Sequence, residues 1–286
     1  MILELRSKYS RLPLLRMCQL LSVTRSLVYR KPADRSARKQ FYDELAPAIA
    51  DIVIANPGYG YRRVRRELGR QGRRCGYKSV SRSMREAGLQ PKRKRPHPKT
   101  SDGKGRGNWP NLLKDDSLRA EAPGQVWVAD ITYIAVPNGY AYLACILDVF
   151  LRKIVGWAMS KRIDSKLTLA ALRQALDTRP PKSGWIHHSD RGSQYLSDAY
   201  VSLVTTAGGR VSCSDKGSPE DNAFMESFFK TLKAEEVWLE HYDDIEHADQ
   251  SIGKFIGYYN SGRMHSSLGY QSPDQFEANL PGNDQT

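Results

Sequence analysis

Residues 125–149 read QVWVADITYIAVPNGYAYLACILDV, a pattern typical of a β-hairpin. Both halves are rich in β-branched and aromatic residues, which favour strands. Between them lies Asn138-Gly139, a dipeptide that suits the two-residue turn of a tight hairpin. The sequence therefore predicts two antiparallel strands joined by this turn.

Strand-like and helix-like segments alternate after the hairpin. The predicted elements are a strand in RKIVGWAMS (152–160), a helix in SKLTLAALRQALDT (165–178), a strand in SGWIHHSD (183–190), a helix in LSDAYVSLVTTAG (196–208), a strand in GRVSCS (209–214) and a helix over 218–237. The order β-β-β-α-β-α-β-α indicates an α/β fold. Crossover strands would extend a meander into a mixed five-stranded sheet with helices on its faces.

The helix over 218–237, SPEDNAFMESFFKTLKAEEV, is predicted to be amphipathic, with Ser218 as N-cap and Pro219 in the first turn. At 100° per residue, one stripe within about 80° is polar. It holds Asn222, Glu226, Lys230 and Lys233, and the opposite side holds Met225, Phe228, Phe229 and Leu232. The stripe suits a solvated surface with Glu–Lys pairs, each worth about 0.2–0.5 kcal/mol. It equally suits a working carboxylate with lysines beside it.

Three acids stand out in this predicted topology. Asp130 interrupts an apolar row on the first strand, where burying a charge is costly unless something pairs with it. Asp190 ends the fourth strand, at the edge where ligands of open α/β sheets gather, and Glu226 lies on a helix that covers the sheet. Taken singly, each also fits a structural role, such as an exposed strand residue or a turn aspartate. Their convergence from separate elements favours a site.

The region ahead of the sheet is predicted to be helical and basic. Residues 12–30 suggest a short helix, a turn near Ser22-Val23 and a second helix opened by Thr24 or Ser26. Residues 43–89 suggest three helices, broken at Asn56-Pro57-Gly58 and at Gly72 and closed by Gly88. Such units are compatible with helix-turn-helix domains, whose second helix enters a major groove. The predicted DNA contacts in this region are Arg62, Arg63, Arg65 and Arg66.

Charge is divided unevenly along the 286 residues. Residues 1–99 hold 25 Lys and Arg against 7 Asp and Glu, a net of +18, whereas residues 100–286 carry a net of −5. The front therefore suits a polyanion, with nucleic acid favoured over an anionic membrane surface because no deep apolar face accompanies the basic residues. Residues 91–110, rich in Pro, Gly and Lys/Arg, suggest a linker, with a nuclear localisation signal as the alternative.

Several classes of protein are disfavoured by composition. No apolar run approaches the ~18 residues of a membrane span, and the first residues lack the apolar segment of a signal peptide. The cysteines lie far apart without a CxxC pair, which argues against a Cys-rich zinc site or a disulfide framework. These features predict a cytoplasmic, nucleoid-associated protein without a membrane partner. The four cysteines are Cys18, Cys75, Cys145 and Cys213.

Five segments resemble a known family. They are WVADITYI, LDVFLRKIVGWAMS, HHSDRGSQY, NAFMESFFKTLKAE and YYNSGRMHSSLGYQSP. These resemble the second-frame (OrfB) transposases of the insertion-sequence-three family, relatives of retroviral integrase, from about Leu12 to about Phe276. The family's D, D, 35, E signature matches the 35 residues between Asp190 and Glu226, and its basic residue seven positions later matches Lys233.

The resemblance implies an RNase H-like core preceded by helical DNA-binding units. It implies that Asp130, Asp190 and Glu226 are catalytic and hold two divalent cations, Mg²⁺ or Mn²⁺, for phosphoryl transfer. Lys230 and Lys233 would contact phosphates, and Arg263 is a further expected DNA contact. Implied partners are double-stranded DNA at element ends and target, further copies of the chain, and the first-frame OrfA protein.

The sequence departs from related proteins in two respects. Retroviral integrases carry a separate His/His/Cys/Cys zinc module, and no such spacing occurs here. His187 and His188 are instead expected to serve strand-end packing or DNA contact. The leucine-zipper heptad that the family places in its first-frame protein is also missing, so part of the end-recognition and multimerisation apparatus is expected outside this chain.

The predicted domains are a helix-turn-helix-like segment (1–40), a basic helical DNA-binding domain (41–90), a basic linker (91–120), the RNase H-like core (121–278) and a tail (279–286). The predicted function is a DNA transposase, a polynucleotidyl transferase that cleaves and joins strands at insertion-sequence ends. Two alternatives remain open at this point. One is a stand-alone RNase H-like nuclease, and the other is a DNA-binding regulator that keeps an inactive core.

Overall fold

The computed structural model describes residues 13–24, 35–91, 109–114, 120–137, 139–215 and 222–281. Five strands form one mixed sheet in the order β3-β2-β1-β4-β5. They are β1 (Val126–Val136), β2 (Gly139–Asp148), β3 (Lys153–Ser160), β4 (Ile186–Ser189) and β5 (Arg210–Cys213). The predicted α/β class, the five strands and their order along the chain are confirmed.

The predicted hairpin forms the centre of the sheet. β1 and β2 pair antiparallel from Trp127 opposite Asp148 to Val136 opposite Gly139. Asn138 of the predicted turn lies outside the described residues. β4 pairs parallel to β1 only along Val126–Val128, and β5 pairs parallel to β4. The part of β1 that follows Val128 therefore continues past β4, and Asp130 lies on it.

Helices cover both faces of the sheet. On one face lie α5 (Ser165–Thr178), at the predicted bounds, and α6 (Asp198–Thr206). On the other lie α7 (Ala223–Leu232), a π-helical turn (Lys233–Val237) and α8 (Ile245–Ser261). Apolar side chains that alternate along β1 enter both cores, because Trp127 and Ala129 pack on the α5 side and Val128 and Ile134 on the α7 side. Burial of both faces explains why β1 is apolar almost throughout.

The helix that carries Glu226 begins later than predicted. The N-cap of α7 is Asn222, not Ser218, and residues 216–221 lie outside the described part of the chain. The Asn222 side chain donates to the carbonyl of Ala129 at 3.2 Å. A contact with β1 therefore ties down the first turn, which local capping patterns do not reveal.

Ahead of the sheet lie α1 (Leu14–Leu20), α2 (Arg35–Ala55), α3 (Tyr61–Arg70) and α4 (Tyr77–Glu86). The predicted breaks between α2, α3 and α4 are confirmed, and Gly72 and Gly88 have positive φ angles of 79° and 68° that favour glycine. The second helix predicted after Ser22-Val23 falls on residues outside the described ranges. Helices α2 to α4 share a small apolar core, and Met264 from beyond α8 joins it. We call α2 to α4 the basic module.

The chain closes with α9 (Pro273–Ala278), which Ser272 caps in a capping box with Gln275. Within the described ranges, no helix is long and apolar enough to cross a membrane.

Candidate active site

Asp130 lies on β1 in a position that disfavours its charge. Its Oδ1 accepts a hydrogen bond from the Ile131 N–H at 2.8 Å. Burial and then the Asp190 carboxylate raise the pKa of Asp130 to about 7, with Glu226 adding to the effect and Lys233 opposing it. The pKa of Asp130 therefore depends on both of the other predicted acids, which come from distant parts of the chain.

Asp190 follows the last residue of β4, as predicted. Its Oδ1 accepts from the Gly192 N–H at 2.9 Å, which holds the carboxyl at the edge of the sheet beside β1. Burial raises the pKa of Asp190 as well, and the hydrogen bond from Gly192 lowers it in part. Two carboxylates on neighbouring strands are thus both disfavoured as anions, and a cation placed between them would relieve that cost.

Glu226 projects from α7 on the side opposite the apolar residues, as predicted. Met225, Phe228, Phe229 and Leu232 are buried against the sheet and α8. The Glu226 Oε2 accepts from Lys230 Nζ at 3.0 Å. The Glu226 charge also acts on Asp130, whose pKa it raises, and in this structure its carboxylate is bonded to the lysine one turn further on.

The three acids are neighbours without forming a closed metal cage. Across the described ranges, no three His, Cys, Asp or Glu side chains lie close enough together to hold one ion as they stand. The contrast with Asp148, a fully buried acid on β2, is informative. Its two oxygens accept from the N–H groups of Gly124, Phe150 and Leu151 and from the Trp127 indole. Asp148 is thus satisfied by protein donors, and its role is structural.

Lys233 lies at the start of the π-helical turn. Its Nζ is 4.5 Å from the centre of the Tyr133 ring, a cation–π contact at the exposed end of β1. Burial lowers the pKa of Lys233, and the Asp130 charge opposes that shift. Lys233 is therefore close enough to Asp130 for the two charges to interact, whereas the Lys230 side chain is largely exposed.

The two histidines of β4 pack inside the fold. His187 accepts or donates one hydrogen bond with the Tyr200 hydroxyl at 2.9 Å, and burial lowers its pKa to about 3. His188 bonds the hydroxyls of Ser212 and Ser214 at 2.8 and 3.0 Å. Both side chains are buried. The expectation of strand-end packing is confirmed, and a DNA contact is not compatible with that burial.

The predicted arginine contacts divide into two groups. Arg62 and Arg66 are exposed on α3, in positions that DNA can reach. Arg65 is half-buried, donates to the Cys75 carbonyl at 3.0 Å and lies over the Tyr77 ring. Arg63 and Arg263 both approach Glu235, and Arg263 is only 3% exposed. The predicted DNA contact is therefore corrected for Arg263, since its guanidinium is enclosed by protein.

Helix α4 presents basic residues that the sequence analysis did not single out. A cleft beside α4 is lined by Tyr61, Tyr77, Lys78, Ser81, Arg82, Arg85 and Glu86. Lys78, Arg82 and Arg85 are exposed, and Val80 and Met84 face the module core. The sequence signal was the i, i+4 spacing of these apolar residues, which leaves the basic ones on the outer side.

Three stretches of the chain match known domain families. Residues 120–219 and 207–273 match two integrase core domain families, and residues 41–97 match an HTH-like domain family. Among solved structures, the HTLV-2 integrase catalytic core domain in complex with magnesium aligns with 57% of this chain and 100% of that one, at 17% identity and a TM-score of 0.42. A chain of a simian T-cell lymphotropic virus intasome aligns with 74% of this chain and 73% of its own, at 15% identity and a TM-score of 0.46.

Similar proteins extend over nearly the whole chain. The transposase for insertion sequence element IS904 of Lactococcus lactis is 40% identical over 252 residues, which cover 87% of this chain and 98% of that protein. The transposase InsF for insertion sequence IS3A of Escherichia coli is 36% identical over 267 residues, or 91% and 92% of the two chains. The five-stranded sheet, the HTH-like region and these similarities together show that the chain belongs to the IS3 family of insertion-sequence transposases.

Proposed function

We propose that this transposase catalyses Mg²⁺-dependent cleavage of DNA strands at the ends of its insertion sequence and their transfer to target DNA. Asp130, Asp190 and Glu226 are the proposed catalytic residues. The observation that carries the proposal is electrostatic: the charges of Asp190 and Glu226 both raise the pKa of Asp130. Three acids from β1, the end of β4 and α7 converge at a cost to the fold, which is typical of a functional site.

The donor set fits magnesium or manganese. Carboxylate oxygens are the ligands that these hard cations prefer, and two carboxylates with raised pKa values gain most from a nearby positive charge. Bound at this site, two such ions would activate the attacking hydroxyl and stabilise the leaving oxygen at phosphorus. Because Glu226 is paired with Lys230 in this structure, it would exchange that lysine for the metal when the site is loaded.

The lysines beside the acids are proposed to bind phosphate. Lys230 would be released from Glu226 by that exchange, and Lys233 lies next to Tyr133 on the same side. A phosphodiester that enters between them brings negative charge to a site that already carries three acids. Two ammonium groups within about two helical turns of Glu226 offset that repulsion, and they orient the strand without contacting its bases.

DNA sequence reading is proposed to belong to the basic module. In helix-turn-helix proteins the second helix of the motif enters the major groove. Helix α4 occupies that place, because α3 and α4 are joined by the short segment 71–76. The exposed Lys78, Arg82 and Arg85 would reach the DNA, with Arg62 and Arg66 on α3 contacting the backbone. A positive front and an acidic core suit this division of tasks.

The partners are proposed on the same basis. Double-stranded DNA is the substrate, and several copies of the chain would assemble on it because two element ends must meet one target. The first-frame OrfA protein is a further proposed partner, for this chain as a second-frame product. An association with the nucleoid follows from the affinity for DNA.

The test is a cleavage and strand-transfer assay on labelled duplexes taken from the two ends of the element, with and without the first-frame protein. Wild-type protein should cut and join strands in Mg²⁺ and do neither in EDTA. Asp130→Ala, Asp190→Ala and Glu226→Ala should each abolish both steps while DNA binding persists. Full cleavage in EDTA, or by any of the three variants, refutes the assignment. Cutting without joining would indicate a nuclease, and binding alone a regulator.

A further inference from the structure

A buried ion cluster links the basic module to the catalytic core. Glu235, in the π-helical turn, accepts from Arg263 through both carboxylate oxygens, with Nε to Oε2 and Nη2 to Oε1 each at 2.6 Å. Arg63 of α3 adds its Nη1 at 3.8 Å from Oε1. The side chains of Arg263 and Glu235 are only 3% and 9% exposed. We call Glu235, Arg63 and Arg263 the joint.

Backbone and hydroxyl contacts surround the joint on both sides. Arg63 Nε donates to the Met264 carbonyl at 3.0 Å, and the Met264 N–H donates to the Tyr59 hydroxyl at 3.2 Å. The Tyr258 hydroxyl, from α8, donates to Asn56 Oδ1 at 2.5 Å. The module therefore meets the core through a specific set of directed bonds, not through apolar packing alone.

The basic module also approaches Glu235 through an uncharged residue, Gly58. Gly58 follows Pro57 in the loop between α2 and α3, and a β-carbon built there would overlap the Glu235 side chain. Only a residue without a side chain allows that approach. The loop that holds Gly58 and the Arg63 side chain therefore both lie against the Glu235 side chain.

The Glu235 carboxylate compensates the positive charges of Arg63 and Arg263. Burial and the neighbouring Arg263 lower the pKa of Arg63, and Glu235 opposes both effects. Without Glu235, two guanidinium groups would face one another in a buried place. Removal of one member from a buried ionic cluster is strongly unfavourable, because the remaining charges lose their compensation.

Glu235 lies two residues after Lys233 on the same π-helical turn. We propose that Glu235 is a positioning residue: it fixes the basic module relative to the acids and holds Lys233 beside them. The inference rests on the proposed function, since it concerns where the strand is cut. If α4 reads the sequence and the acids cut, the joint sets the number of nucleotides between the two.

The experiment maps cleavage at nucleotide resolution on a labelled element-end duplex, in Mg²⁺ with full-length protein. Two variants loosen the joint from opposite sides, Glu235→Gln by removing the charge and Gly58→Ala by crowding it. The matched control is Glu236→Gln on the same turn, because Glu236 bonds only groups of the core, Ser251 at 2.6 Å and Tyr242 at 3.2 Å, among the described contacts. Neither of these two hydrogen bonds joins Glu236 to the basic module.

Both joint variants should cut at several positions and lose about 10²-fold in rate at the normal one, the loss expected from a misplacement of about 1 Å. Their affinity for the duplex should stay near wild type, and Glu236→Gln should cut like wild type. Combining Glu235→Gln with Gly58→Ala should add little to either single change, because both act on one contact. A purely structural role would lower the rate without moving the cut.

Cleavage by both variants at the single normal position alone, whether at the wild-type rate or a lower one, overturns the proposal. Faster cleavage overturns it too, because the joint would then restrain the enzyme. Amide hydrogen exchange tests the joint without activity, and exchange over 56–64 and 258–264 should rise in both joint variants but not in Glu236→Gln. Unchanged exchange refutes the joint even if wild-type protein cleaves, whereas raised exchange in a protein that never cleaves refutes only the proposed function.

Discussion

Asp130 and Asp148 lie on paired strands, and burial raises the pKa of both carboxyls. Asp148 is surrounded by four N–H donors, which stabilise its ionised form. Asp130 faces two further acids instead. The donors around Asp148 thus offset part of the cost of burying its charge, whereas two neighbouring acids disfavour the charge of Asp130 further.

This difference predicts how pH acts on the metal-free protein. The folded-state pKa of Asp130, about 7, lies above its ordinary value of 3.8, so its contribution to stability is complete below pH 4 and is lost as pH rises through 7. Asp130→Asn should therefore raise the free energy of unfolding at pH 8 by about 1–3 kcal/mol, discounted for partial exposure. The gain should vanish near pH 4. Denaturant titrations in EDTA at both pH values measure it, and an equal effect at both would contradict the account.

Lys233→Ala should slow strand transfer by about 10- to 10²-fold, because a charge-assisted contact to phosphate is lost. Mn²⁺ affinity should change little. Lys166→Ala is the matched control, since Lys166 is exposed on α5, on the opposite face of the sheet. The comparison is single-turnover transfer at limiting DNA. Equal rates for the two variants would return Lys233 to a surface role.

At the scale of single elements, local pattern predicted most of the structure. The bounds of α5 coincide with the prediction, and all five strands were identified. Helix α8 was missed, although Asp244 caps it by accepting from the His247 N–H at 2.7 Å and apolar residues recur at Ala248, Ile252 and Phe255. The start of α7 could not be predicted, because Asn222 reaches Ala129, 93 residues earlier.

Packing between β3 and α5 gives a prediction at this scale. A β-carbon at Gly156 would lie 2.7 Å from the Ala175 β-carbon and 3.0 Å from its nitrogen. Gly156→Ala should therefore destabilise the protein by about 1–3 kcal/mol. Gly257→Ala is the matched control, since nothing lies within 4 Å of the added atom in α8, and it should stabilise by about 0.5–1 kcal/mol. Thermal melting of both variants measures these changes in stability. A Gly156→Ala variant as stable as the wild type would show that α5 moves away from β3 at no cost.

Helix α4 gives a second prediction at the scale of single elements. Arg85→Ala should weaken DNA binding and lower the slope of log affinity against log salt by about 1, the loss of one phosphate contact. Arg65→Ala should leave that slope unchanged, because Arg65 bonds the Cys75 carbonyl inside the module. Fluorescence anisotropy on one duplex over a salt series measures both. Identical slopes would show that α4 does not face the DNA.

At the scale of the whole molecule, the uneven charge predicted two parts, but not how they meet. Arg63 and Arg263 looked like DNA contacts, since both are arginines in basic or polar segments. The burial of Arg263 and the partial burial of Arg63 accompany their contacts with Glu235, which is 28 residues from Arg263 in sequence, and no local pattern reveals such a partner. The three candidate acids were chosen by position, because Asp130 interrupts an apolar row, Asp190 ends β4 and Glu226 lies on the polar side of α7. Their mutual effect on pKa values requires the fold.

The contacts between the basic module and the core affect the expected stability and DNA binding of a core fragment. A fragment of residues 115–286 contains all five strands and both sheet cores, so we expect it to fold. It would expose Met264 and leave Glu235 without Arg63, so it should melt below the full-length chain. Its salt slope for DNA binding should be clearly shallower, given the net charge of −5 after residue 99. Equal slopes and affinities over 50 to 200 mM salt, a range suited to such titrations, would assign DNA reading to the core.

Asp130, Asp190 and Glu226 are proposed to form one metal site. Titration of Mn²⁺ into full-length protein bound to an element-end duplex, followed by electron paramagnetic resonance, tests it most directly. The wild-type complex should bind two ions, as expected for a two-metal phosphoryl-transfer site. Asp130→Ala, Asp190→Ala and Glu226→Ala should each lose this binding, while Asp148→Asn, if folded, should retain it. Wild-type Mn²⁺ binding by any of the three acid variants would contradict the account.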